Sequence, residues 1–112
     1  MLAKTHRLHT DRDIAHVLKR GRSVWGVTMG VRGVANGLAI TRATVVVSTK
    51  VSKRAVDRNV LKRRLREIVR AVFPKLQTGW DMMVLTKSST KTLTFAQLQK
   101  ELEGILRKAG VL

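Results

Sequence analysis

From Ala55 to Val72 a single stretch carries two demands. Leu61, Leu65, Ile68, Val69 and Val72 recur at i, i+4, i+7, i+8 and i+11, which at about 100° per residue is one stripe of a helix. Asn59, Lys62, Arg63, Arg66 and Arg70 fall on the neighbouring arc. Such a helix must lay its stripe on an apolar surface and leave its arc to solvent or to a partner. Pro74, which cannot continue a helix, sets its end.

The surface that receives the stripe should be a sheet. Ala43 to Thr49, ATVVVST, is the clearest strand, and its Val45-Val46-Val47 run suggests burial on both faces and a central place in the sheet. Ser23 to Arg32 reads as one strand with weak points at Gly26 and Gly30. The Asn36-Gly37 pair favours a tight hairpin, with Leu38-Ala39-Ile40 as a further short strand. Asp81 to Lys87, after Gly79-Trp80, reads as another strand, and Ser88 to Thr92 as a polar loop.

Two more helices frame these strands. Thr10 can cap a short one, with Asp13 in its first turn, Ile14, Val17 and Leu18 on one face, and Gly21 at its end. Thr94 and Gln97 form a capping box, Leu93 can staple against Leu98, and Leu98, Leu102, Ile105, Leu106 and Ala109 make the buried stripe of the last helix, closed by Gly110. Helix, two or three strands, helix, strand, helix describes an α+β chain, an α/β sandwich with helices on one small sheet. A long helix between the Val45 and Asp81 strands suggests a βαβ crossover, which is right-handed as a rule.

At 112 residues the chain should be one domain, residues 1–112, with no linker or repeat. Its formal net charge of +16 asks for a polyanion, nucleic acid first. That charge is concentrated. Lys50 to Arg70 holds nine Lys and Arg against Asp57 and Glu67, a net +7 within 21 residues. Glu67 precedes no cation at i+4, so helical pairing leaves most of these charges available. No apolar run approaches the roughly 20 residues of a membrane span, and MLAKTHRLHTDRD contains no signal-like hydrophobic segment. A cytoplasmic protein without a membrane partner is expected, and the absence of cysteine agrees with a reducing compartment.

Catalysis by this chain alone is not expected. His6, His9 and His16 lie around the first helix without a metal-ligand pattern and read as solvated or RNA-facing. Asp11 and Asp13 read as helix-start residues and Asp81 as a turn residue. Trp25, Phe73, Trp80 and Phe95 are the whole aromatic supply and read as core before stacking platforms, so backbone and shape recognition should dominate.

The run Lys50-Val51-Ser52-Lys53-Arg54-Ala55-Val56-Asp57-Arg58-Asn59-Val60-Leu61-Lys62-Arg63-Arg64-Leu65-Arg66-Glu67 resembles the signature of the protein subunit of bacterial ribonuclease P. Arg7-Leu8, Asp13 with Gly21, the Val45 strand and Gly79-Trp80-Asp81 extend the resemblance along the chain. It implies a small mixed four-stranded sheet with three helices and a left-handed βαβ crossover. It implies the catalytic RNA of ribonuclease P and precursor tRNA as partners, 5′ maturation of tRNA as the activity, and no obligate protein partner. The protein itself would carry no catalytic residue, metal or cofactor, with magnesium held by the RNA. RNA contact then falls to Lys50, Lys53, Arg54, Arg58, Asn59, Lys62, Arg63, Arg66 and Arg70.

The family's first helix contributes to a cleft for the single-stranded 5′ leader, and Ile14 and Leu18 are its candidates here. Both stand where the family usually has Phe, so weaker leader discrimination is expected, and Val60 stands where the family often has Arg, which removes one cation from the RNA-facing motif. A ribosomal-type structural protein or general RNA chaperone is the alternative that charge alone would allow. A free-standing nuclease would need carboxylate ligands that seven scattered acids do not assemble.

Overall fold

The structure is a computed structural model that describes residues 4–112. Helix α1 (Asp11–Arg20) is followed by strands β1 (Arg22–Trp25), β2 (Met29–Ala35) and β3 (Arg42–Val46), helix α2 (Ala55–Val72), strand β4 (Trp80–Thr86) and helix α3 (Phe95–Lys108). The strands form one mixed sheet in the order β1-β2-β4-β3, antiparallel except for the parallel pair β3 and β4.

The caps form as their residues dictate. Asp13 N–H donates to Thr10 Oγ1 at 3.2 Å. At α3, Gln97 N–H donates to Thr94 Oγ1 at 3.2 Å and Thr94 N–H to Gln97 Oε1 at 2.9 Å. Single 3₁₀ turns follow α2 at Phe73–Lys75 and precede α3 at Ser88–Thr92, the latter replacing the expected polar loop. Its Thr90, fully buried, donates to Thr28 O at 2.5 Å.

Three strand expectations are corrected. The stretch from Ser23 to Arg32 is not one strand but the two arms of a hairpin, turning at Gly26 to Thr28 and held by Gly26 N–H to Met29 O at 2.7 Å. Leu38-Ala39-Ile40 is a bend and not a strand. Asn36 Oδ1 accepts from Leu38 N–H at 2.8 Å, and Gly37 takes φ +70°, a left-handed conformation that glycine accepts without a Cβ penalty. The Val45 strand is an edge strand: its valines are buried because α2 covers them, while Val46 on the other face stays 36% exposed.

Strand alternation divides the sheet into two faces. Met29, Val31, Ala43, Val45, Met82 and Val84 point to one side, where Leu61, Leu65, Ile68, Val69 and Val72 of α2 and Leu98, Leu102, Ile105 and Leu106 of α3 close the main core. Met83 points to the other side and packs with Leu8 and Val17 of the α1 region, bordered by Ile14, Val34 and Leu85.

The hand of the β3-α2-β4 crossover follows from residue chirality. In a strand running upward, an L-residue whose side chain faces the viewer directs its own N–H and C=O to the right. Ala43 faces α2, and its carbonyl accepts from Leu8 N–H at 3.0 Å on the outer edge of β3. Seen from α2, β4 therefore lies to the left of β3. The connection is left-handed, as the resemblance implied and against the general right-handed rule.

Candidate nucleic-acid interface

Helix α2 starts without a side-chain cap on Arg54, and the preceding turn supplies the order instead. Ser52 Oγ accepts from Arg54 N–H at 3.2 Å and donates to Asp57 Oδ2 at 3.0 Å, while Arg58 Nη1 donates to Ser52 O at 2.9 Å. Arg58 is therefore half-buried and partly committed to holding the turn. Lys50, Lys53 and Arg54 are exposed on the approach to the helix, Arg54 at 4.0 Å from Asp57.

Along α2 the apolar stripe is buried, with Leu65 fully enclosed. Asn59, Arg63, Arg66 and Arg70 are exposed and Lys62 half-exposed. Among the described residues, Lys62, Arg63 and Arg66 make no hydrogen bond or ion pair, so their charges face solvent unspent. Arg70 differs from the expectation. Its Nε donates to Glu67 Oε2 at 3.3 Å and Nη2 to Oε1, because three residues along a helix is as near as four. That contact holds the Glu67 carboxyl below its ordinary range.

On the opposite face of the sheet, Ile14 is half-buried in the second apolar cluster, whereas Leu18 is 53% exposed. Only Leu18 presents a surface. Beside it the strand registers align Trp25, Gly30, Leu85 and Val46 across all four strands on one face. Trp25 is 44% exposed and lies over Gly30: a Cβ there would come within 2.5 Å of the indole, so glycine is what lets the ring lie flat. Lys87 Nζ sits 5.1 Å from that ring's centre. The row forms an open apolar floor with a stacking surface at one end. Sequence reasoning placed Trp25 in the core; the missed signal was the W-G-V-T turn, which ends β1 at Trp25 and sets its ring across from Gly30.

The helix beside this floor is fixed by charge. Arg42 Nε and Nη2 donate to the two carboxylate oxygens of Asp81 at 2.9 and 2.7 Å, and Asn36 Nδ2 donates to Asp81 Oδ1 at 2.9 Å. Arg42 Nη1 reaches Asp13 Oδ2 on α1 at 3.1 Å. Arg32 donates to the α1 carbonyls of Val17 at 3.1 Å and Leu18 at 2.8 Å. Asp81 is thus a buried strut and not a turn residue. Asp13 is held below the usual carboxylate range, first by the Thr10 hydroxyl and then, against some desolvation, by Arg42.

His6 also departs from its solvent-facing expectation: its ring packs on Phe73 with centroids 4.6 Å apart and Nδ1 lies 3.2 Å from Thr41 O. His9 and His16 are exposed. Among the described residues no group of His, Asp and Glu is placed to hold a metal ion, and no helix is long and apolar enough to cross a membrane.

The family model described as Ribonuclease P matches residues 2–110. A ribonuclease P protein component from Finegoldia magna is 38% identical over 107 residues, covering 96% of this chain and 93% of that protein. One from a Picosynechococcus species is 31% identical, covering 98% and 95%. Among solved structures, a mutant Staphylococcus aureus RNase P protein with defective mRNA degradation activity superposes with a TM-score of 0.90 at 29% identity, covering 97% of this chain and 92% of that one.

Proposed function

The chain belongs to the family of ribonuclease P protein components, and on that premise we propose that it binds the catalytic RNA through α2 while holding the 5′ leader of precursor tRNA on the α1 side of the sheet. The observation that carries this reading is the pairing of a fully buried Leu65 stripe with the unpaired cations Lys62, Arg63 and Arg66. A helix locked to the core on one side presents guanidinium groups in fixed register, and guanidinium groups suit phosphate oxygens. Lys50, Lys53, Arg54, Arg58 and Asn59 extend the contact toward the start of the helix, and Arg70 contributes less because Glu67 shares its charge.

Leader binding falls to Leu18 and to the Trp25, Leu85 and Val46 row, with Ile14 supporting from within the cluster. Apolar contact and one indole face accept any base, so the cleft holds single-stranded RNA with little sequence preference.

Cleavage chemistry belongs to the RNA and its magnesium ions. In support, both Asp81 oxygens are taken by Arg42 and Asn36, so this buried acid is not free to ligate a metal. The protein supplies positive charge and position to a reaction between two polyanions, and it acts as one cytoplasmic RNA-binding domain without an obligate protein partner.

The test is cleavage of a precursor tRNA by the cognate ribonuclease P RNA at low magnesium, with and without the protein. Cleavage at the mature 5′ end that requires both components is expected. Failure of the protein to rescue its own cognate RNA would overturn the reading.

A further inference from the structure

A groove of about 220 Å³ runs along the outer edge of β3, lined among others by Arg7, His9, Thr44, Val45, Arg66 and Val69. It lies at the sheet's edge, apart from the leader floor, and between the N-terminal segment and the cationic arc of α2. It is smaller than the about 300–1,000 Å³ of typical small-molecule sites.

Its backbone chemistry is defined by where edge pairing stops. Leu8 N–H donates to Ala43 O at 3.0 Å, and the bridge between Arg7 and Ala43 goes no further along β3. Val45, two residues on, faces the same side as Ala43, so its own N–H and C=O also turn away from β4 and toward the groove. An open strand edge invites pairing. Here its rim is Arg7, His9 and Arg66, with no acid among the lining residues.

The N–H and C=O of one extended residue form an adjacent donor and acceptor in a plane. Nucleobases carry adjacent acceptors and donors on their Watson–Crick and Hoogsteen edges, and unpaired bases are the ones such groups can reach. We propose that the β3 edge receives one unpaired nucleotide of the RNA, its base edge bonded to the N–H and C=O of Val45 and its phosphate held by Arg66 in the field of Arg7. This rests on the RNA-binding reading above and adds a base-reading contact to an arc that otherwise meets only phosphate. The cationic rim favours a nucleotide over a peptide strand, whose backbone is neutral.

The experiment is amide NMR of the ¹⁵N-labelled full chain titrated with r(AAAAA), with inorganic phosphate at matched ionic strength as the reference. The Val45 amide should move downfield with the oligonucleotide and stay in place with phosphate. Val45→Pro removes that donor on the side that leaves the β4 ladder intact, and should weaken the oligonucleotide affinity, read from the Thr44 and Arg66 amides, about threefold to tenfold. Because it also alters a core side chain, the exposed-rim variant His9→Glu is the second test, with weakening in the same direction.

Movement at Lys62 and Arg63 with Val45 unmoved would overturn the groove proposal and leave RNA binding by α2 standing. No movement anywhere would overturn both. Equal shifts with phosphate would reduce the groove to an anion site, and shifts with protein concentration alone would assign the edge to a second copy of the chain; either outcome overturns the proposal.

Discussion

The two faces of the sheet hold their helices by different physics. On one, α2 and α3 are fastened by a continuous apolar core in which Leu65, Leu98 and Leu102 are fully buried. On the other, α1 has a three-residue buried cluster, and polar ties make up the difference: Arg42 to Asp13 and Asp81, Arg32 to the α1 carbonyls. Apolar fastening needs area, and area once covered is lost to ligands. Charged ties fix a helix at a few points, so α1 can stay short and leave Val46 and Trp25 exposed and Leu85 half-covered beside it. The face that is packed shut and the face that stays partly open are built from alternate residues of the same strands.

Leu65→Ala should have the largest effect, a loss of about 2–5 kcal/mol of stability in urea unfolding, because the site is enclosed by two layers. Asp81→Ala leaves Arg42 without its buried partner and should cost about 3 kcal/mol, below a fully buried pair because the Arg42 side chain keeps 20% exposure. Hydrogen exchange sharpens the contrast: Asp81→Ala should expose α1 amides while those of α2 stay protected. Equal loosening of both helices would break the comparison.

Effects on binding are smaller. Leu18→Phe puts a second aromatic wall beside the floor and should tighten a single-stranded leader by about 1 kcal/mol, roughly fivefold, in fluorescence titration. Unchanged leader affinity would show that Leu18 lies off the path. Arg63→Ala should weaken binding to the catalytic RNA and lower the slope of log K against log salt by about one. An unchanged slope would mean that Arg63 faces solvent in the complex.

The smallest effect concerns acid. The Asp13 carboxyl is depressed in the folded state, so its stabilisation is complete above the unfolded value near 3.8 and disappears as pH falls through the lower folded value. Asp13→Asn should flatten the stability curve below about pH 4 and leave α2 and α3 unaffected. A curve that keeps its acid limb would remove Asp13 from the ties on α1.

Local rules were legible in the chain itself. The α2 stripe, the Thr10 and Thr94 caps, the stop at Pro74 and the cationic arc depend on spacings within one or two helical turns, which the covalent sequence already contains. The run from Lys50 to Glu67 also carried the family. Other features depended on which strand lies beside which. β3 sits at an edge because β4, arriving later in the chain, inserts between it and β2. Trp25 faces outward because its register with Gly30 puts it on the α1 side of the sheet, opposite to Val24, which meets the core, and Asp81 is buried because Arg42, 39 residues earlier, comes to lie in its register. The sequence by itself determined the helices, their polarity and the charge they present. Only the tertiary structure decided strand order, the buried ion pair and which sheet surfaces stay open, because those are set by contacts between residues far apart in the chain, and periodicity carries no record of such contacts.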